Sequence, residues 1–286
     1  MANLKEIRNR ISSVSSTMQI TSAMKMVSAA KLSKAQDAIT SMRPYAEKLT
    51  QLLQDLSATL DDDANSKFAE EREVKRVLIV AISSNKGLAG AFNTNIIKKV
   101  KTKVAADYQN TEVELLTLGK KGNDILKKTF EVYKSDNTIF DDLSFENVSA
   151  IAEELMQVFV DGKFDRIELV YNQFKNAGTQ VVMDEQFLPI ERFETESEKQ
   201  LDYIFEPSKI EIVKDLIPKS LKMQLFKALR DSFASEHGAR MTAMHKATDN
   251  AKELRDDLKL SYNKARQASI TNEILEIVGG AEALNG

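Results

Sequence analysis

The 286 residues suffice for one large domain or two ordinary ones, and 42% hydrophobic with 29% charged residues is the balance of a soluble chain that buries a real core. A net charge of only -3 argues against nucleic acid as the main ligand, because phosphate binding needs a concentrated basic excess. The absence of cysteine excludes disulfides, thiolate metal sites and cysteine nucleophiles, and suits a cytoplasmic protein.

The first thirty residues carry Lys5, Arg8, Arg10 and Lys25 without a continuous apolar run. Neither a secretion signal nor a spanning helix is expected there, so any membrane association comes through a partner. The first sixty residues predict one long helix, capped by Asn3 with Glu6 three residues on. Apolar or small residues recur at Leu4, Ile7, Ile11, Val14, Met18, Thr21, Ser28, Leu32, Ala35, Ile39 and Met42, in steps of three and four broken only by Lys25. So narrow a seam is a coiled-coil pattern, which wants one long partner helix. Around Ile20, Ala23, Met24, Met26 and Val27 apolar character spreads over more of the helix than one partner covers. Pro44 predicts a kink, since Leu49, Leu52, Leu53, Leu56 and Leu60 carry the pattern on. Asp61-Asp62-Asp63 and the charge run Glu70 to Lys75 mark a linker over 61–75.

From Arg76 the pattern changes. Val77 to Ile82 is a short, wholly apolar, β-branched run, as in a central strand covered on both faces. Helical segments at Asn93–Asp107, Gly119–Phe130 and Asn147–Asp161 alternate with strands at Glu112–Leu118 and Arg166–Phe174. Lys175 to Gly178 turn into a last strand, Thr179–Glu185, added as a hairpin at an edge. The α/β domain spans 76–206. The final element, 207–286, opens on a capping-box pattern at Ser208 and Glu211 and runs on as helix past Pro218 and Gly238. At about 1.5 Å per residue, the part after Pro218 alone extends roughly 100 Å. Its seam is expected at Met241, Met244, Thr248, Ala251, Leu254, Leu258, Tyr262, Ala265 and Ser269. The fold class is thus α/β, a long antiparallel coiled coil of the N- and C-terminal helices with an inserted Rossmann-like domain. Ile270, Ile274, Leu275, Ile277 and Val278 occupy about half the circumference of the helix end, which calls for an external sleeve or, alternatively, end-to-end dimerisation.

Signals for chemistry are weak. Ser83 to Asn93 follows a strand and opens a helix, where a nucleotide-binding fold would place phosphate. It lacks both full glycine motifs, and Lys86 precedes the glycines, so a structural turn is the reading. His237 and His245 stand eight apart without a third ligand and are expected at an interface or the surface. Lys98, Lys99, Lys101 and Lys103 read as an exposed helix face. No catalytic, cofactor-binding or metal residue is assigned.

Three stretches carry a resemblance: MQITSAMKMVSAAKL at Met18–Leu32, SEHGARMTAM at Ser235–Met244 and YNKARQASIT at Tyr262–Thr271. Together with the order of parts, they resemble the gamma subunit of F-type ATP synthases. That resemblance implies a central rotor shaft inside a hexamer of alpha and beta subunits, its C-terminal tip in an apolar bearing. It implies no catalytic site on the chain itself, no cofactor and no nucleic acid. The foot, with Tyr203 and Glu206, would meet the membrane c-subunit ring and the epsilon subunit, at the cytoplasmic face of a bacterial inner membrane. Met24, Lys25, Arg240, Arg266, Gln267, Thr271, Ile274 and Leu275 are the residues it places against alpha and beta. Asn85 and Ala89 depart from the acid and cysteine common in the family's turn after the first strand. Two alternatives are a free-standing coiled-coil scaffold and a small nucleotide-dependent enzyme using the Gly87–Gly90 turn.

Overall fold

The computed structural model describes residues 4–57, 67–190 and 209–285, and these fall into two compact units. Residues 29–240 form the first. Its sheet contains β1 (Arg76–Ile82), β2 (Glu112–Leu118), β3 (Glu131–Asp136), β4 (Arg166–Asn176) and β5 (Thr179–Leu188), ordered β3-β2-β1-β4-β5. The first four strands are parallel, and β5 closes the edge antiparallel to β4. Val77 to Ile82 are all buried, because the central strand is covered on both sides. Leu78, Val80 and Ile82 face α4 (Phe145–Val160) and Leu221, Leu225, Ala228 and Leu229 of the long C-terminal helix α5 (Lys209–Asn285). Val77, Ile79 and Ala81 face α2 (Phe92–Asp107) and α3 (Lys120–Leu126). Thus α5 is a core helix of this unit, filling one layer beside α4.

Two expectations change. A fifth strand, β3, stands where no strand was read: it is a short edge strand carrying Glu131, Lys134 and Asp136, with no apolar run to betray it. The basic face of α2 is only partly a solvated one. Lys103 turns inward, with Nζ 3.1 Å from both Glu168 Oε2 and Asp184 Oδ2, and Lys99 Nζ lies 3.0 Å from Asp184 Oδ1. Carboxylates on β4 and β5 draw these ammonium groups onto the sheet, while Lys98 and Lys101 stay exposed.

The second unit comprises 1–28 and 241–286. In it the start of the N-terminal helix α1 (Leu4–Ser57) lies antiparallel to the end of α5. Arg8 Nη2 donates to Tyr262 Oη at 2.7 Å, Arg255 Nη1 lies 3.6 Å from Met18 Sδ, and Thr248 Oγ1 is 2.8 Å from Thr21 Oγ1. Helix α1 runs through Pro44, and α5 through Pro218.

Among the described residues no helix is long and apolar enough to cross a membrane.

Candidate functional site

The paired helices carry bare apolar surface. On α1, Ile20, Met26 and Val27 are 58–65% exposed, while Met24 and Lys25 are half-buried. On α5, Ile270, Ile274, Leu275, Ile277 and Val278 are 48–71% exposed. Residues of that size cost about 1.5–3 kcal/mol each when left in water instead of buried, so these five along one helix end form an extended exposed apolar surface. Arg266 and Gln267 sit exposed just before it, and Thr271 is exposed within it. Thr271 Oγ1 donates to Gln267 O at 2.9 Å, satisfying its hydroxyl on its own helix and leaving the outward face smooth. Arg266, Gln267, Thr271, Ile274 and Leu275 therefore share one stretch of α5, and Met24 and Lys25 lie on α1 of the same unit.

Arg240 behaves differently: it is 6% exposed and turned into its own chain. Nη1 lies 2.6 Å from Glu236 Oε1, one turn back, and Nη2 donates to Lys86 O at 2.9 Å. Burial pushes the Glu236 carboxyl up, against the pull of Arg240. His237 is also buried, at 5% exposed, which corrects the expectation of a surface or interface residue. Its ring packs edge-on against Phe233, with centroids 4.5 Å apart. Burial, with the charges of Arg240 and Lys31, pushes its pKa down to about 3, so the ring is neutral. His245 does lie at the surface, its Nδ1 3.3 Å from Asp249 Oδ2. Tyr203 and Glu206 lie outside the described residues.

The turn after β1 is where a doubly wound sheet would bind a ligand, at the switch in strand order between β1 and β4. Here its polar groups are occupied by the protein. The amides opening α3 are taken by this turn: Lys120 N donates to Asn85 Oδ1, Lys121 N to Ser84 O and Gly122 N to Ser83 Oγ, at 2.9–3.0 Å. Asn85 thus serves the turn as an acceptor through its side-chain oxygen. Asn93 closes back on Ser84. The carbonyls of Lys86 and Gly87 face the Arg240 guanidinium, and Ala89 and Phe92 pack against Ala239 of α5. Only glycine fits at 119, with φ 107°, because a Cβ there would lie 2.3 Å from Ser83 O. The turn is a joint whose polar groups are engaged within the chain. Sequence reasoning missed the joint itself; its one signal was Gly238, a helix-interior glycine whose Cβ would come within 3.2 Å of Ala177 Cα.

Among the described residues, no group of three or more His, Asp or Glu is placed to hold a metal ion.

A family profile described as ATP synthase matches residues 3–284. The ATP synthase gamma chain of Christiangramia forsetii is 82% identical over 286 residues, covering 100% of both chains. That of Flavobacterium psychrophilum is 69% identical over 287 aligned positions, again with 100% of each chain covered. Among solved structures, the central stalk/c-ring of Tetrahymena thermophila mitochondrial ATP synthase matches with TM-score 0.60 and 28% identity, covering 80% of this chain and 99% of that one. The rotor of Euglena gracilis mitochondrial ATP synthase has the same fold, with TM-score 0.69 at 22% identity over 93% and 98% of the two chains.

Proposed function

The chain belongs to the ATP synthase gamma chains, and from that premise we infer that it is the central rotor shaft of a membrane-associated ATP synthase, coupling ion-driven rotation to ATP synthesis and hydrolysis. It is one part of a larger ATPase complex that includes F1 and the c-ring. In finer terms, we propose that alpha and beta subunits surround the paired helices, that the epsilon subunit and the c-ring take hold of the foot, and that catalysis takes place on the beta subunits. The complex would lie at the cytoplasmic face of the membrane, with this chain attached through its partners.

The observation that supports this reading best is the uncovered apolar end of α5, Ile270 to Val278. A sleeve of apolar side chains around such an end holds it without directional bonds, since hydrophobic burial is non-directional, and so permits turning. A single chain has no threefold symmetry, so each orientation presents a different face to each of three beta subunits. Driving one beta subunit between conformations from 1:99 to 99:1 requires about 5.5 kcal/mol of differential contact energy. Met24, Lys25, Arg266, Gln267 and Thr271 are the residues proposed to supply such contacts.

Co-expression with alpha and beta subunits tests the reading. One copy of this chain per hexamer, with ATPase activity, is the expected product. Separate elution under conditions that keep the hexamer whole sinks it.

A further inference from the structure

We infer that Arg240 is a positioning residue for rotary coupling: its buried fork locks the loop after β1 onto α5, so that the α/β unit cannot slip around the shaft helix. The inference rests on the rotor reading above. Every contact it uses lies within residues 29–240, and Arg240 is the last α5 residue of that unit.

The load on such a joint decides what chemistry it needs. Hydrophobic burial resists separation but is non-directional, so a helix held by apolar packing alone resists rotation about its own axis only through side-chain interlock. A planar guanidinium is directional. Arg240 engages Glu236 on its own helix at 2.6 Å and, on the opposing loop, Lys86 O at 2.9 Å and Gly87 O at 3.4 Å. Turning α5 against the loop breaks charge-assisted bonds, which are roughly twice as strong as neutral ones. Both charges are at most 7% exposed, and an apolar pair would fill the same space without their desolvation cost. Geometry is what the ions add. A second grip lies beside it on α5: a Cβ at Gly238 would come within 3.2 Å of Ala177 Cα in the β4–β5 turn, so only a glycine lets the hairpin in this close, and Ser235 Oγ donates to Asn172 O at 3.0 Å.

The test uses the assembled enzyme in sealed vesicles and reads protons pumped per ATP hydrolysed. Glu236→Gln with Arg240→Gln removes both charges and leaves no orphaned ion. It should lower the ratio and raise amide hydrogen exchange in the loop about tenfold, the change expected for losing charge-assisted bonds. Because the chain has no cysteine, Ala177→Cys with Gly238→Cys introduces its only thiols, at the point where the hairpin meets α5. Oxidising that pair in the charge-less background should restore the ratio, and reduction should lower it again. Arg240→Lys, which keeps the charge but loses the fork, should give a partial loss with the same rescue, and it carries the test if the double variant does not fold. An unchanged ratio, a loss the disulfide does not repair, or thiols that do not oxidise in the folded chain overturns the inference. Failure of the unsubstituted chain to assemble would instead strike the rotor reading.

Discussion

Thr248 Oγ1 lies 2.8 Å from Thr21 Oγ1, placing a polar contact in the seam between α1 and α5. Thr21 Oγ1 donates to Met18 O at 3.1 Å, so its hydroxyl is left to accept from Thr248, whose alternative acceptor is Met244 O at 2.8 Å. Substituting one threonine by valine should cost about 1 kcal/mol, the net worth of the hydrogen bond between them, and substituting both should be nearly neutral, because two apolar groups of the same shape then meet in the seam. Urea unfolding of the two single variants and the double variant closes the cycle. A coupling energy below about 0.3 kcal/mol would show that the hydroxyls act independently.

The Lys103 cluster makes a stronger claim. Tyr108 Oη donates to Glu168 Oε1 at 2.6 Å, and Glu168 is 5% exposed. Burial disfavours the Lys103 ammonium, but Glu168 and Asp184 outweigh it and raise its pKa to about 12. Its stabilisation is therefore present below the unfolded value near 10.4 and is lost as pH rises through about 12. Burial likewise opposes ionisation of Asp184, and hydrogen bonds from Lys99 and Lys103 reverse this and lower its pKa, so that contribution is lost in acid. Lys103→Met leaves Glu168 buried without its cation and should destabilise the α/β unit by about 3 kcal/mol. Lys101→Met, on the solvated face of the same helix, should change stability by less than about 0.5 kcal/mol.

Asp231 and His237 should oppose one another in a pH profile. Burial raises the Asp231 carboxyl to about 6, against the pull of Lys227 and Arg43, and His237 is depressed to about 3. Asp231 thus contributes stability below its unfolded pKa that is lost as pH rises through about 6. His237 contributes stability above its unfolded value near 6.5 that is lost as pH falls toward 3. Between about pH 4 and 6 the native state gains one proton on Asp231 and lacks one on His237, so the two slopes cancel. In Asp231→Asn the cancellation is gone, and relative to the unsubstituted chain stability should fall on acidification by up to roughly 1.4 kcal/mol per pH unit. Parallel profiles for the two proteins would refute the assignment.

What was legible in the sequence depended on periodicity. Thr21, Ser28, Leu32, Ala35 and Ile39 are buried where the three-four rhythm of α1 places them, and Val77 to Ile82 form the doubly covered strand. Where several residues satisfy a rhythm, polarity misled. Leu254 was expected in the α5 seam, yet it is 46% exposed, and the half-buried residue is Arg255. Steps from Thr248 to Ala251 to Leu254 are two threes in a row, which at 100° per residue swing the stripe off the partner; four to Arg255 restores it. Arg255 keeps its head at Asp256 while its stem lies in the seam. Leu254→Lys should therefore be tolerated within about 0.5 kcal/mol, and Arg255→Asp should destabilise by more than Leu254→Asp. Buried charges were the least legible: Arg240 and Lys103 look solvated in sequence because Lys86 O, Glu168 and Asp184, which hold them, lie on a loop and strands far away in the chain, and Glu236 is buried with Arg240.

The apolar end of α5 gives the most direct test of function, since folding and function separate there. Ile274 and Ile277 are 55% and 71% exposed, so Ile274→Asp with Ile277→Asp removes little burial from the isolated chain, whose thermal midpoint should change little. Inside a sleeve each isoleucine would bury apolar area worth about 1.5–3 kcal/mol, and each aspartate would be desolvated. The assembled enzyme should then either shed this chain or lose ATP-driven proton pumping. The partition between those outcomes measures how much of the grip lies at the tip: retention with impaired pumping means that Met24, Lys25, Arg266 and Gln267 also hold the shaft. Normal assembly and normal pumping would mean that the end stays wet in the working complex, and the bearing would have to be sought elsewhere on the helices.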